Sequence, residues 1–287
     1  MSAATESNPT AGRLDLDDVR IAYLDWGGDG APLVVLHATG FHGRTYRVYA
    51  EAFGAIGHVY SMDQRGHGDS GLAKSGEYNW FHTMNDLAAF IDSMGWRAVR
   101  AFGHSAGATA IGALACERPD LVARAVLVEP VIFESATAPE LKWRDPYIER
   151  TLKRRRVFDS TEAMYANFEH KPPYASWRRD LLRDYCAHGT RPAAEGKREL
   201  KCAPEIEARL YETSREFDGL GRLLRAEQPL LVMFGTNGES LGATLADYVA
   251  AKLPRGRVIN VPDAGHFLPM EKPELVIAES LEFLAGA

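Results

Sequence analysis

The sequence predicts an α/β fold, a mostly parallel eight-stranded sheet with helices on both faces and one helical insertion. Three observations carry that expectation. Short apolar, β-branched runs alternate with longer helix-forming stretches, the pattern of a parallel sheet with crossover helices. The interval from about 133 to 228 lacks this alternation and is dominated by charged, amphipathic stretches. Finally, Gly103-His104-Ser105-Ala106-Gly107 lies between an apolar run and a helix-forming run, in the order strand, pinched turn, helix.

Taken in order, Arg13 to Leu16 and Val19 to Leu24 read as an antiparallel pair split by the Asp17-Asp18 turn. Pro32-Leu33-Val34-Val35-Leu36-His37 has the continuous apolar character of a central parallel strand buried on both faces. A glycine-rich loop follows, then a helix near Thr45 to Phe53, a strand at His58 to Met62, the turn Asp63 to Ser70 and a helix at Trp80 to Met94. Ala98 to Phe102 is the strand leading to Ser105, and Ala108 to Ala115 forms the helix after it. Ala123 to Val131, Pro229 to Gly235 and Arg257 to Val261 complete the strands, and a last helix begins near Pro273. Residues 1–132 and 229–287 are thereby assigned to the core domain, and 133–228 to a helical cap. Within the cap, Pro172-Pro173 and Pro192 divide the chain into short helices, and no strand is expected. The run Lys153-Arg154-Arg155-Arg156 reads as a solvated helix face rather than an anion site.

Composition narrows the function classes. With 287 residues, 46% of them hydrophobic, the chain can bury a large core, so disorder is not expected. A net charge of −6 argues against nucleic acid or an anionic membrane as the main partner. Cys116, Cys186 and Cys202 lack C-x-x-C spacing, which suggests neither a disulfide framework nor a zinc site. The histidines and cysteines are scattered, so no metal or organic cofactor is implied. The first nine residues are polar, and no stretch approaches transmembrane length. A cytoplasmic monomer or homodimer acting on a small molecule is the expectation.

The chemistry begins at Ser105. Flanking glycines at a sharp turn leave the hydroxyl presented rather than packed. A serine alone is a poor nucleophile, so a base and an oxyanion site are needed at neighbouring strand ends. His266, in the loop Pro262 to Phe267 just past the last strand, is the candidate base, in agreement with the chain order serine, acid, histidine. The oxyanion site should use the backbone N–H of Ala106 and a second N–H from the loop His37-Ala38-Thr39-Gly40-Phe41.

These motifs together resemble a serine hydrolase of the α/β-hydrolase family over essentially the whole chain. His37-Ala38-Thr39-Gly40 is similar to that family's His-Gly-x-Gly turn, which implies that the N–H of Thr39 completes the oxyanion hole. Asp63-Gln64-Arg65-Gly66-His67-Gly68-Asp69-Ser70 is similar to its D-x-R-G-x-G-x-S turn, where the resemblance gives Arg65 and His67 structural roles. The sequence departs from the family in two places. Ala38 replaces a glycine, and Gly235-Thr236-Asn237-Gly238 places glycine where relatives commonly carry an aspartate. Three carboxylates compete for the acid role. Glu129, at the end of Ala125-Val126-Leu127-Val128, is preferred because a charge directly after a buried run needs a partner. Glu239 is second and Asp263 third. The expected reaction is hydrolysis of a carboxylic ester, or a related small apolar acyl compound, through an acyl-enzyme. The alternatives are a carbon–carbon bond or lactone hydrolase, or a non-catalytic member binding a small ligand beneath the cap. Phe133, Trp143, Tyr147, Phe158, Tyr165, Phe168 and Tyr174 are divided evenly between pocket lining and cap core.

Overall fold

A computed structural model describes residues 8–132, 144–237 and 245–286. Strands β1 (Thr10–Asp15), β2 (Arg20–Gly27) and β3 (Pro32–Leu36) open the chain, followed by helix α1 (Arg47–Phe53), β4 (His58–Met62) and α2 (Trp80–Ser93). Then come β5 (Val99–His104), α3 (Ala106–Glu117) and β6 (Val122–Val128). The segment after β6 carries α4 (Arg144–Leu152), β7 (Val157–Phe158), α5 (Thr161–Phe168), α6 (Arg179–His188), β8 (Thr190–Pro192), β9 (Arg198–Leu200), α7 (Pro204–Thr213) and α8 (Gly219–Arg225). The chain closes with β10 (Leu230–Gly235), α9 (Ala246–Lys252), β11 (Gly256–Val261), α10 (Leu268–Glu271) and α11 (Pro273–Ala285).

Eight strands form one sheet in the order β1-β2-β4-β3-β5-β6-β10-β11. Only the β1–β2 and β2–β4 pairs are antiparallel, and the others run parallel. The apolar run of β3 explains its central place. Leu33 and Val35 join the core on one side of the sheet, and Val34 and Leu36 join the core on the other. All four are fully buried, each contributing about 1.5–3 kcal/mol of transfer free energy.

Strand order reverses at β3, because the chain leaves it for β4 on one side and returns to β5 on the other. Loops leaving β3 and β5 diverge at such a point and open a crevice at the carboxyl ends of the strands. The loop beginning at His37 and the turn at Ser105 therefore face each other.

Between β6 and β10 the described residues are mainly helical but differ from the sequence expectation in two respects. Strands β7, β9 and β8 form a small antiparallel sheet that the sequence pattern does not predict. Segments of two or three residues are too short to display a period of two, and their antiparallel pairing brings side chains such as Arg191 and Glu199 opposite each other, 3.1 Å apart. The basic run is also not a helix face, since α4 ends at Leu152 and Lys153 to Arg156 lie beyond it. Phe158 and Phe168 pack with Trp177 and Tyr185 in the interior of this segment. Phe133 and Trp143 lie outside the described residues. Among the described residues no helix is long and apolar enough to cross a membrane.

Candidate active site

Ser105 stands between β5 and α3 with φ 55° and ψ −121°, a conformation L-residues rarely adopt. The surrounding packing holds it there. A Cβ on Gly103 would lie 2.7 Å from Cα of Ala108, and one on Gly107 would lie 2.6 Å from the carbonyl oxygen of His37. The N–H of Ser105 donates to the carbonyl of Val128 at 3.0 Å, which ties the turn to the end of β6.

That end of β6 carries Glu129. Its N–H donates to Met233 on β10 at 2.8 Å, and its side chain has no solvent exposure. Glu129 Oε1 accepts the N–H of Gly235 at 2.5 Å, while Oε2 lies 3.3 Å from Nδ1 of His266. His266 Nε2 lies 3.0 Å from Ser105 Oγ. A carboxylate can only accept, so Nδ1 carries the imidazole proton and Nε2 is left to accept from the serine hydroxyl. The His266 loop can approach because residue 235 is glycine, where a Cβ would lie 2.6 Å from the carbonyl carbon of Ala264. Of the rival acids, Asp263 is exposed in a turn with φ 55°, and Glu239 lies outside the described residues.

Across the crevice, Thr39 lines the same cavity as Ser105, and Ala106 follows Ser105 at the start of α3. The N–H of Thr39 is without a hydrogen-bond partner among the described residues, and that of Ala106, at the first position of α3, has no acceptor one turn back within the helix. Thr39 Oγ1 is likewise buried with no partner among them. Neutral histidines shape this loop. His67 Nε2 accepts the N–H of Gly40 at 3.0 Å, and its Nδ1 donates to the carbonyl of Arg65 at 2.9 Å. His37 donates from Nδ1 to the Ala38 carbonyl at 2.7 Å and accepts the Gln64 N–H at Nε2, 2.9 Å. Arg65 is tied to Asp86 by two hydrogen bonds of 2.6 and 2.7 Å. The turn from Asp63 to Ser70 thus braces the loop bearing Thr39 and Gly40 through His67.

His104 links the three loops of the site. Its Nε2 donates to the carbonyl of His266 at 2.8 Å, leaving Nδ1 to accept the Tyr46 hydroxyl at 2.7 Å. Tyr46 in turn accepts the N–H of Ala38 at 3.3 Å.

Burial, reinforced by the neighbouring His266, pulls His104 down to about 3, and burial also pulls His42 down to about 3. Both histidines ordinarily titrate near 6.5, so the folded state binds fewer protons than the unfolded chain below that pH. Their stabilisation is complete above 6.5 and is lost as pH falls toward 3, by about 2 kcal/mol each at pH 5. Buried Asp63, pushed up to about 6, acts in the opposite sense between pH 4 and 6 but is one group against two. The thermal midpoint is expected to fall between pH 7 and pH 5, with a shallower slope in His104→Gln. A midpoint that is flat or rises on acidification contradicts this.

Ser105 and His266 open onto a cavity of about 420 Å³. Phe41, Trp80, Val131, Pro173 and Phe267 give it apolar walls. Tyr147, Tyr174, Tyr185 and Tyr211, together with Arg150, Arg154 and Glu207, give it polar ones.

A profile of the Alpha/beta hydrolase family matches residues 33–279. The chain belongs to the alpha/beta hydrolase family. Among its relatives is a Mycobacterium tuberculosis protein provisionally named non-heme bromoperoxidase BpoC, 29% identical over 280 residues, covering 93% of this chain and 98% of that one. The N-formylmaleamate deformylase of Pseudomonas putida is 25% identical over 279 residues, covering 95% and 96%. The crystal structure of E-2-(acetamidomethylene)succinate hydrolase superposes with a TM-score of 0.85 at 20% identity, covering 96% of this chain and 99% of that one. That likeness establishes the shared fold.

General hydrolase activity is supported by this membership. In this alpha/beta hydrolase the structure brings together Ser105, His266, Glu129, Thr39 and Ala106. Of the aromatic residues divided between pocket and core, Tyr147 and Tyr174 line the cavity, whereas Arg150, Arg154 and Glu207 were not expected there. The neighbours of Arg154 in the basic run turn outward, where Lys153 meets Glu149 and Arg155 meets Asp159. Only Arg154 of the four turns inward, donating to Glu207 at 2.7 Å and to Tyr185. Nothing in four consecutive basic residues marks which one does so.

Proposed function

We propose that this hydrolase cleaves a small carboxylic ester, or a related acyl compound, through an acyl-enzyme on Ser105. The observation that carries the reading is the chain of contacts from Ser105 Oγ to His266 Nε2 at 3.0 Å and from His266 Nδ1 to buried Glu129. His266 removes the hydroxyl proton as Ser105 Oγ attacks the carbonyl carbon, and Glu129 stabilises the imidazolium that forms. The N–H groups of Thr39 and Ala106 stabilise the oxyanion. When the carbon–oxygen bond breaks, His266 gives its proton to the leaving alkoxide. Water, deprotonated by the same histidine, then attacks the acyl-enzyme and releases the acid and the free serine.

Serine rather than aspartate at the turn supports attack on a carbonyl. The deformylase relative, whose name describes removal of a formyl group, supports the acyl class. In this reading residues 133–228 act as a cap, and α4, α6 and α7 supply the cavity wall that selects the acyl group. A fluorophosphonate probe is expected to label the wild-type protein and not Ser105→Ala. Absence of label on the wild type, or persistence of label on Ser105→Ala, overturns the assignment.

A further inference from the structure

The cap side of the cavity has a charge pattern that ester cleavage does not require. Arg150 and Tyr147 lie on α4, one turn apart, with the guanidinium carbon 4.8 Å from the ring centroid. Arg154 follows the end of that helix, and Glu207 and Tyr211 face it from α7, with the rings of Tyr147 and Tyr211 5.0 Å apart. Glu207 is 6% exposed and already engaged, accepting from Arg154 at 2.7 Å and from the Tyr211 hydroxyl at 3.2 Å. Arg154 donates through Nη1 to Glu207 and through Nη2 to Tyr185 and, at 3.4 Å, to Tyr174. Its Nε–H and one Nη1–H are not committed among the described residues. Arg150 has no ion pair among them. The lining thus holds two guanidiniums against one neutralised carboxylate. Glu207 also lies against Gly40, where a Cβ would come within 2.7 Å of its Oε1, so this cluster adjoins the oxyanion loop. Among the described residues, the wall toward which an acyl substrate bound at Ser105 extends therefore carries one more guanidinium than carboxylate. Guanidinium donors are suited to a carboxylate, which they can engage through two parallel N–H bonds.

We propose that Arg150 and Arg154 receive a carboxylate of the substrate, so that the substrate class is a small acyl compound bearing a carboxylate away from the carbonyl that Ser105 attacks. This rests on the acyl-transfer reading above, and it revises the expectation of a wholly apolar substrate.

Two measurements test it. In the first, kcat/KM is compared for mono-p-nitrophenyl glutarate and neutral p-nitrophenyl valerate, which match in chain length. The anionic ester is expected to be preferred about tenfold or more, mainly through KM. Arg150→Gln, at an exposed position, is expected to remove most of that preference while changing the neutral ester less than about twofold. Because Arg154→Met alone would leave Glu207 buried and unpaired, it is combined with Glu207→Gln, with the same expected loss. In the second, glutarate is titrated calorimetrically into Ser105→Ala, which needs no turnover. Binding that is lost on adding Arg150→Gln supports the proposal. Equal use of the two esters, variants that alter both alike, or no glutarate binding overturns it. Failure of the acyl-transfer reading would appear separately, as absence of fluorophosphonate label on Ser105.

Discussion

Glu129→Gln is expected to lower kcat by about four orders of magnitude while leaving KM and the thermal midpoint nearly unchanged. The size follows from what the carboxylate does. Glu129 Oε2 faces His266 Nδ1, and Oε1 is anchored by the N–H of Gly235 at 2.5 Å. A glutamine of the same shape can keep the anchor, but it presents a neutral amide to Nδ1. It can then favour the wrong imidazole tautomer, and it offers no charge to the imidazolium that forms during attack. Asp263→Asn and Glu239→Gln are expected to change kcat less than about twofold. Loss of kcat in Glu239→Gln alone, with Glu129→Gln active, would transfer the acid role.

Gly107→Ala is expected to destabilise the protein by about 3 kcal/mol, lowering the thermal midpoint by roughly 6–10 °C, and to reduce activity in the fraction that folds. The added Cβ would meet the carbonyl oxygen of His37 at 2.6 Å and that of Leu36 more closely still. Both obstacles are backbone, in β3 and the loop that follows it, so relief requires moving either the sheet or the N–H of Thr39. Gly76→Ala is the control. Gly76 also has positive φ, 73°, but a Cβ there meets nothing within 4 Å, so only the backbone term of about 1 kcal/mol is expected.

The contrast between the strands of the main sheet and those of the segment between β6 and β10 explains how much was legible in the sequence. A central strand such as β3 is buried on both faces, and burial of that kind writes an unbroken apolar run into the chain. Its partners announce themselves similarly, and their alternation with helices implies the parallel topology. Strands β7, β8 and β9 bury only an occasional side chain, Phe158 and Leu200 among them, and leave no such trace. Ser105, His266 and the loop bearing Thr39 were legible because strained turns and close approaches require glycines at fixed offsets. Glu129 was legible as a preference, since a charge ending a buried strand needs a partner. The bracing of Gly40 by His67 was not, because it spans 27 residues and depends on which ring nitrogen carries the proton. Arg154 was hidden for a related reason: its direction is set where α4 ends, and Leu152 gives no sign of that.

The proposed reaction depends on covalent acylation of Ser105. Mixing the protein with p-nitrophenyl acetate, quenching in acid within the first turnover and mapping peptide masses tests it most directly. A burst of p-nitrophenolate and an acetyl group on the peptide containing Ser105 are expected, both absent in Ser105→Ala. Turnover without an acetylated peptide, or acetyl on another residue that persists in Ser105→Ala, would contradict it.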